Sequence, residues 1–247
     1  MCCFCLHSIQ ILSDIPNNYS SKFKNPCYFD KSEKLHCLPY FLMIGAPKCG
    51  TTDIWFKIMY HPHIDYIKKE PHWWTRYSLR KGDGSASTLW QNICWEKFYP
   101  EDVKIGPPYI MADVIRHVLP ETKIIISLRE PTARLYSEYS AFRPKTKKSP
   151  EAFHAKVVKQ ITHFSSCLTK QSLRSCAYGN QRDSTVKNRY FSFQRLNVGL
   201  YSLYISEWLQ RYPRDQMMIL TLEEWQKRCT KILPKIFTFL SVGKYSN

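Results

Sequence analysis

Apolar and polar positions fall in blocks along the chain, and block length separates strands from helices. Tyr40-Phe41-Leu42-Met43-Ile44 is a continuous apolar run that stops at Gly45. A short run bounded by glycine predicts a buried strand of a parallel sheet. From Gly50 to Tyr60 the period changes. Ile54, Trp55, Ile58 and Met59 recur at helical spacing, and Pro62 closes the helix. Lys123 to Leu128, with Ile124, Ile125 and Ile126 in a row, is the strongest strand signal. Pro131 then opens a helix through about Phe142, proline being favoured at the first helical position. Gln216 to Leu222 predicts a third strand. Further helices are predicted over Leu89–Tyr99, Ile110–Leu119, Pro150–Leu168, Val198–Arg211 and Glu223–Leu240, the last interrupted near Pro234. Residues 1–38, polar and broken by Pro16 and Pro26, read as an irregular segment ahead of a domain spanning 39–247. Strands alternating with helices predict an α/β fold with a parallel sheet.

The chain has 247 residues, enough for one domain or one domain with a tail. Hydrophobic residues make up 44% and charged residues 23%, which excludes a disordered chain, a collagen and a coiled coil. No run approaches the ~20 apolar residues of a membrane-spanning helix. The net charge of +16 points to an acidic partner: nucleic acid, anionic lipid, a nucleotide or a polyanionic glycan. A nucleic-acid binder would carry a basic helix or stripe, whereas here the cations are spread over loops, so no nucleic-acid partner is expected.

There are ten cysteines. Cys167 and Cys176 flank a polar loop and are spaced for a short disulfide in an oxidising compartment; otherwise they are two unpaired thiols. Cys2, Cys3 and Cys5 are not matched by a second CxxC, so no metal site is expected. Asn18-Tyr19-Ser20 is an N-glycosylation triplet at Asn18. Met1 to Leu12 is apolar but lacks a basic leader and a small-residue cleavage site, so it does not read as a signal peptide.

The chemistry concentrates after the first strand, in Gly45-Ala46-Pro47-Lys48-Cys49-Gly50-Thr51-Thr52. Backbone N–H groups of such a loop, with the following helix N-terminus, form an anion cradle. The nucleotide loop G-x-x-x-x-G-K-[ST] keeps the same glycine spacing, but here Lys48 precedes the second glycine. The strand at Lys123–Leu128 also ends in Arg129 rather than in a magnesium-holding Asp. Together these features describe a phosphate loop that is not an ATPase loop.

Pro47-Lys48-Cys49-Gly50-Thr51-Thr52 resembles the 5'-phosphosulfate loop of sulfotransferases that use 3'-phosphoadenosine 5'-phosphosulfate, PAPS. Leu128-Arg129-Glu130-Pro131 followed by Arg134-Leu135-Tyr136-Ser137-Glu138-Tyr139 resembles their 3'-phosphate site, with Arg129 and Ser137 as the binding pair. Lys69-Glu70-Pro71-His72-Trp73-Trp74-Thr75, Ser85-Ala86-Ser87-Thr88 and Val198-Gly199-Leu200-Tyr201 extend the likeness to carbohydrate sulfotransferases, over about Ile15 to Val242. The resemblance implies a P-loop-like, three-layer fold, with a central parallel sheet flanked by helices. It implies PAPS as co-substrate, held by Lys48, Cys49, Gly50, Thr51, Thr52, Arg129 and Ser137, without a metal. The implied acceptor is a sulfated glycosaminoglycan, specifically the 6-hydroxyl of N-acetylgalactosamine 4-sulfate in chondroitin or dermatan sulfate.

Sulfuryl transfer needs a base on the acceptor hydroxyl and a stabilised leaving phosphate. Glu70 is the candidate base, Lys48 the cation on the leaving oxygen, and His72 a third catalytic candidate. Glu70 and His72 match a Glu-x-His-aromatic-aromatic string in heparan sulfate 3-O-sulfotransferases; the Asp that follows there is Thr75 here. Lys69, Trp73, Arg76 and Tyr201 are candidate acceptor contacts, although Trp73 and Trp74 serve equally as core. Basic loops at Arg76, Arg80 and Lys81 and at Arg143, Lys145, Lys147 and Lys148 border the expected acceptor cleft or form a solvated basic face.

Three departures from the family stand out. The stretch from Trp74 to Ser85 is short and carries Asp83 where Glu is expected. The family's C-terminal portion, with its basic loop over the nucleotide, is expected to be missing after Asn247. Relatives are Golgi type II membrane proteins, which implies a Golgi-lumen location, but no anchor segment is read in this sequence. The competing expectation is therefore an inactive or partial homologue that binds nucleotide or sulfated glycan only.

Overall fold

The computed structural model describes residues 19–66, 69–70, 84–92, 95–141, 149–179 and 195–243. Within them the chain opens with an antiparallel hairpin, β1 (Cys27–Phe29) and β2 (Leu35–Cys37), closed by a Cys27–Cys37 disulfide. Within residues 27–37 this hairpin replaces the irregular structure expected there; residues 1–18 lie outside the described residues. Each strand has three residues, too few for an alternating pattern to show. Side-chain chemistry holds the turn instead. Asp30 Oδ1 accepts from the N–H groups of Ser32 at 2.8 Å and Lys34 at 3.0 Å, and Oδ2 meets His36 Nε2 at 2.6 Å.

The central sheet is parallel, in the order β3 (Phe41–Gly45), β4 (Lys123–Leu128), β5 (Met217–Thr221). Met43 pairs with Ile125, and Ile125 with Met218. Both faces are covered, which is why the strands read as unbroken apolar runs rather than as alternation. Ile124, Ile125 and Ile126 each show 0% exposure.

Side chains still alternate between the two faces. Phe41, Met43, Ile125 and Leu220 pack under α1 (Thr51–Met59), through Ile54, Trp55 and Ile58. Leu42, Ile44, Ile124 and Ile126 face a larger core. That core is built around the short α2 (Trp95–Phe98), with Trp95, and α3 (Met111–Val118), with Ile115. The helices α4 (Pro131–Ala141) and α5 (Pro150–Leu168) follow, then α6 (Leu173–Tyr178), which adds Ala177 and Tyr178 to that core. From α7 (Tyr201–Leu209) come Tyr204 and Trp208. The last helix, α8 (Leu222–Leu240), lies with α1 and contributes Trp225 and Ile236. The result is the expected α/β arrangement of a central parallel sheet between helices.

Three predicted helices are redrawn. Where Leu89–Tyr99 is predicted to be one helix, the described residues form a turn ending at Trp90 and then α2, and tertiary partners take the backbone groups of Leu89. Leu89 N donates to Ile44 O at 2.8 Å, and Leu89 O accepts from Trp208 Nε1 at 3.0 Å. Val198–Arg211 begins as a 3₁₀ turn, Leu196–Gly199, before α7. In α8 the helix breaks at Arg228 (φ −140°, ψ 30°) and runs through Pro234. Proline crowds the carbonyl one turn upstream of itself, and the bend lies on that side.

Cys167 and Cys176 form the expected disulfide, with Cα atoms 5.8 Å apart, tying the end of α5 to α6. The Cys27–Cys37 bridge closes a loop of similar size, ten residues in sequence. Chain-entropy arguments give a bridge of this span about 3 kcal/mol. The Cys27→Ser/Cys37→Ser double variant is therefore expected to lower the urea midpoint, with a slope equal to or steeper than wild type because the unfolded chain is less constrained. A midpoint equal to wild type would show that the hairpin does not unfold with the rest of the chain.

Candidate active site

The three parallel strands end together, and charged residues gather where they stop. Ala46 N donates to Ser127 O at 2.7 Å, so the loop after β3 stays attached to β4. Ser127 is fully buried, and its hydroxyl donates to Cys49 O at 2.6 Å. Arg129, the residue after β4, brings Nη1 to 3.5 Å from Lys48 O. Lys48 (φ 69°) and Gly50 (φ 74°) are left-handed, which turns the loop back onto the start of α1. The positive φ favours glycine at position 50, and a Cβ there would lie 2.4 Å from Leu222 Cδ1 of α8, so that side chain would have to shift.

Gly50 is the N-cap of α1, and no side chain caps the helix. The first N–H groups of a helix lack intrahelical acceptors, so this end is suited to an anion. Asp53 in that first turn is engaged elsewhere: its Oδ2 accepts from Trp225 Nε1 at 2.7 Å and from Lys57 Nζ at 2.6 Å. Burial raises the Asp53 pKa, but these two partners outweigh it and hold the carboxyl below its ordinary value. Thr51 is buried and Thr52 exposed. Lys48 and Arg129 are half-buried.

Past Arg129, the Glu130 carboxylate accepts from the N–H groups of Thr132 (2.9 Å) and Ala133 (2.6 Å) and starts α4. Those backbone bonds lower its pKa. Ser137 lies half-buried two turns further along. Tyr201, at the start of α7, places its hydroxyl 3.7 Å from Cys49 Sγ. Burial, and then Cys49, push the Tyr201 pKa up, while the Arg129 backbone gives the phenol a further contact.

The structure therefore brings together Lys48, Cys49, Gly50, Thr51, Thr52, Arg129 and Tyr201, with Ser137 on the adjoining helix. Tyr201, expected at the acceptor, packs against the loop. Glu70 is exposed, takes a left-handed backbone (φ 60°) and pairs with Lys69. His72, Trp73 and Arg76 lie outside the described residues, as do the two basic loops and Asn18. Among the described residues, no group of three or more His, Cys, Asp or Glu forms a metal cluster, and no helix is long and apolar enough to cross a membrane.

The sequence reading missed Ser127, although a lone polar residue inside an apolar strand was its signal. It also assigned nothing to Arg134 and Glu138, which are both buried in α4.

Comparison with known proteins agrees with this geometry. The sulfotransferase domain family matches residues 107–244. The chain is 33% identical to mouse carbohydrate sulfotransferase 15 over 87% of its length and 46% of that protein. It is 25% identical to mouse heparan sulfate glucosamine 3-O-sulfotransferase 3B1 over 84% of its length and 47% of that protein. The crystal structure of a sulfotransferase from Alicyclobacillus acidocaldarius shares the fold, with a TM-score of 0.54 and 20% identity over 83% of this chain and 81% of that one. The chain belongs to the sulfotransferase family. It spans about half the length of the curated relatives it matches.

Cys49 gives a local test of the loop. Burial, opposed by the Tyr201 hydrogen bond and by Arg134 and Arg129, raises its thiol pKa from 9.0 to about 11. The folded state thus favours the protonated thiol. That contribution is complete below pH 9 and is lost as pH climbs through 11. Iodoacetamide at pH 8 is expected to spare Cys49 in the native chain and to modify it in urea, as read by peptide mapping. Rapid native labelling would mean an open loop.

Proposed function

We propose that the chain transfers a sulfuryl group from PAPS to a hydroxyl of a sulfated glycosaminoglycan. The observation that carries this reading is the loop at the carboxyl end of β3: an uncapped helix N-terminus, Lys48 above it, and Arg129 bonded to the loop from β4. This placement fits a nucleotide with phosphates at both ends. The 5'-phosphosulfate would take Lys48, Cys49, Gly50, Thr51 and Thr52, and the 3'-phosphate Arg129 and Ser137. The mouse relatives named for carbohydrate and heparan sulfate transfer support a glycan acceptor. The 6-hydroxyl of N-acetylgalactosamine 4-sulfate is the acceptor that the likeness to carbohydrate sulfotransferase 15 favours.

In the step itself, the acceptor oxygen attacks sulfur in line with the bridging oxygen of the donor. One sulfur–oxygen bond forms as the other breaks. Glu70 takes the hydroxyl proton, and adenosine 3',5'-bisphosphate leaves with its developing charge on Lys48. His72 is assigned beside Glu70, and Lys69, Trp73 and Arg76 to the acceptor. Residues 39–247 form the transfer domain. The two disulfides among the described residues suit an oxidising compartment, in keeping with a Golgi-lumen location and glycosylation at Asn18.

The test is calorimetry with adenosine 3',5'-bisphosphate. Micromolar binding by the wild type, lost in Lys48→Ala and Arg129→Ala, is expected; a folded wild type that does not bind would overturn the donor site. Glu70→Gln is expected to keep donor binding and to lose transfer by at least about a hundredfold. Donor binding without transfer by the wild type would instead identify a nucleotide-binding homologue.

A further inference from the structure

The mechanism leaves one buried charged cluster unused. Glu138, next to Ser137 on α4, is 2% exposed, and its carboxylate holds two cations at once. Oε2 pairs with Arg134 Nη1, one turn back on the same helix. Oε1 accepts from Arg195 Nε at 2.7 Å and from Arg195 N at 3.3 Å. Arg134, at 0% exposure, adds a bond from Nη2 to Arg195 O at 2.8 Å. The cluster thus grips both the side chain and the backbone of Arg195.

Arg195 opens the turn Leu196–Gly199 that leads into α7. At the other end of the turn, a Cβ on Gly199 would meet Pro131 Cβ at 3.6 Å, so the turn also lies along the start of α4. Beyond it, Tyr201 reaches Cys49 in the donor loop. One carboxylate therefore joins the helix that carries Ser137 to the segment that supports the loop carrying Lys48.

Burying this charge carries a desolvation cost that apolar packing would avoid. Arg134 carries its charge inside this cluster, and among the described residues its Nε has no hydrogen-bond partner. Its field reaches the loop, where it lowers the pKa of both Cys49 and Tyr201 against the larger effect of burial.

We propose that Glu138 is a positioning residue for the donor: it sets the separation between Ser137 and the Cys49 loop, and so the spacing at which the two phosphate ends are held. The proposal rests on the donor reading above, and the test separates the two.

Adenosine 3',5'-bisphosphate and adenosine 5'-phosphate are titrated into wild type, Glu138→Gln and Glu138→Asp. Removing a negative charge near a phosphate site would by Coulomb attraction alone tighten binding. Positioning predicts the opposite sign. Glu138→Gln is expected to bind the bisphosphate about tenfold more weakly while the monophosphate affinity stays at its wild-type value. Glu138→Asp keeps the charge and shortens the reach by one methylene. It is expected to show the same selective loss, and it serves where Glu138→Gln does not fold. Unchanged or tighter bisphosphate binding in a folded variant would overturn the proposal, as would an equal loss for both nucleotides. A wild type that binds neither nucleotide would overturn the donor reading itself.

Discussion

The site depends on how β4 ends. Its centre, Ile124 to Ile126, is dry on both faces. Its next residue, Ser127, is equally buried yet polar, and a buried hydroxyl needs a partner. The partner is the carbonyl of Cys49 in the loop after β3. Moving the loop would orphan two buried polar groups at once, at about 1–3 kcal/mol for each. The strand that anchors the core therefore also fixes the loop, and Arg129 is delivered beside it by chain continuity. Leu222 presses on Gly50 from the α8 side. The loop is held from two directions before any ligand arrives.

The parts legible in the sequence were those written in local pattern. The apolar runs at 41–45, 123–128 and 217–221 need only length and bounding residues to be read. So do helices started by Pro131 and Pro150. The loop after β3 stood out for a similar reason, since Lys48, Gly50 and the two threonines are contiguous. What escaped depends on partners far away in the chain. Leu89 has the composition of a helix but gives its backbone to Ile44 and Trp208. The hairpin at 27–37 has no pattern to read, because a disulfide and one aspartate hold it. Tyr201 lies 152 residues from Cys49, and nothing local announces that contact.

Two carboxylates, one just before α4 and one within it, show why motif position alone does not assign a role. Glu130 is exposed and satisfies the free N–H groups of its own helix. Its work is local, and any capping side chain of that reach would serve. Glu138 lies two turns later, is buried, and bonds across to a segment 57 residues away. The first starts a helix; the second relates that helix to another part of the fold. Only the second is placed to affect how far Ser137 sits from the Cys49 loop.

Charge requires the same distinction. A net +16 suggests a polyanionic partner, yet many of the cations are committed to the fold. Lys123 and Lys24 donate to the carbonyls of Phe239 and Ser241 at the end of α8, where a helix dipole favours them. Arg174 pairs with Glu207, and Arg211 with Asp113, each at 2.8 Å. Arg134 and Arg195 are held by Glu138. Net charge therefore says how strongly an anion is drawn to the molecule, but not where it is held. Lys48 and Arg129 differ because of where they stand: half-buried, at the ends of two parallel strands, beside a helix start that no side chain caps. Ligands of open α/β sheets bind outside the carboxyl ends of the strands, and these two cations lie at those ends. That placement, rather than the excess of lysine and arginine, is the physical ground for an anion site.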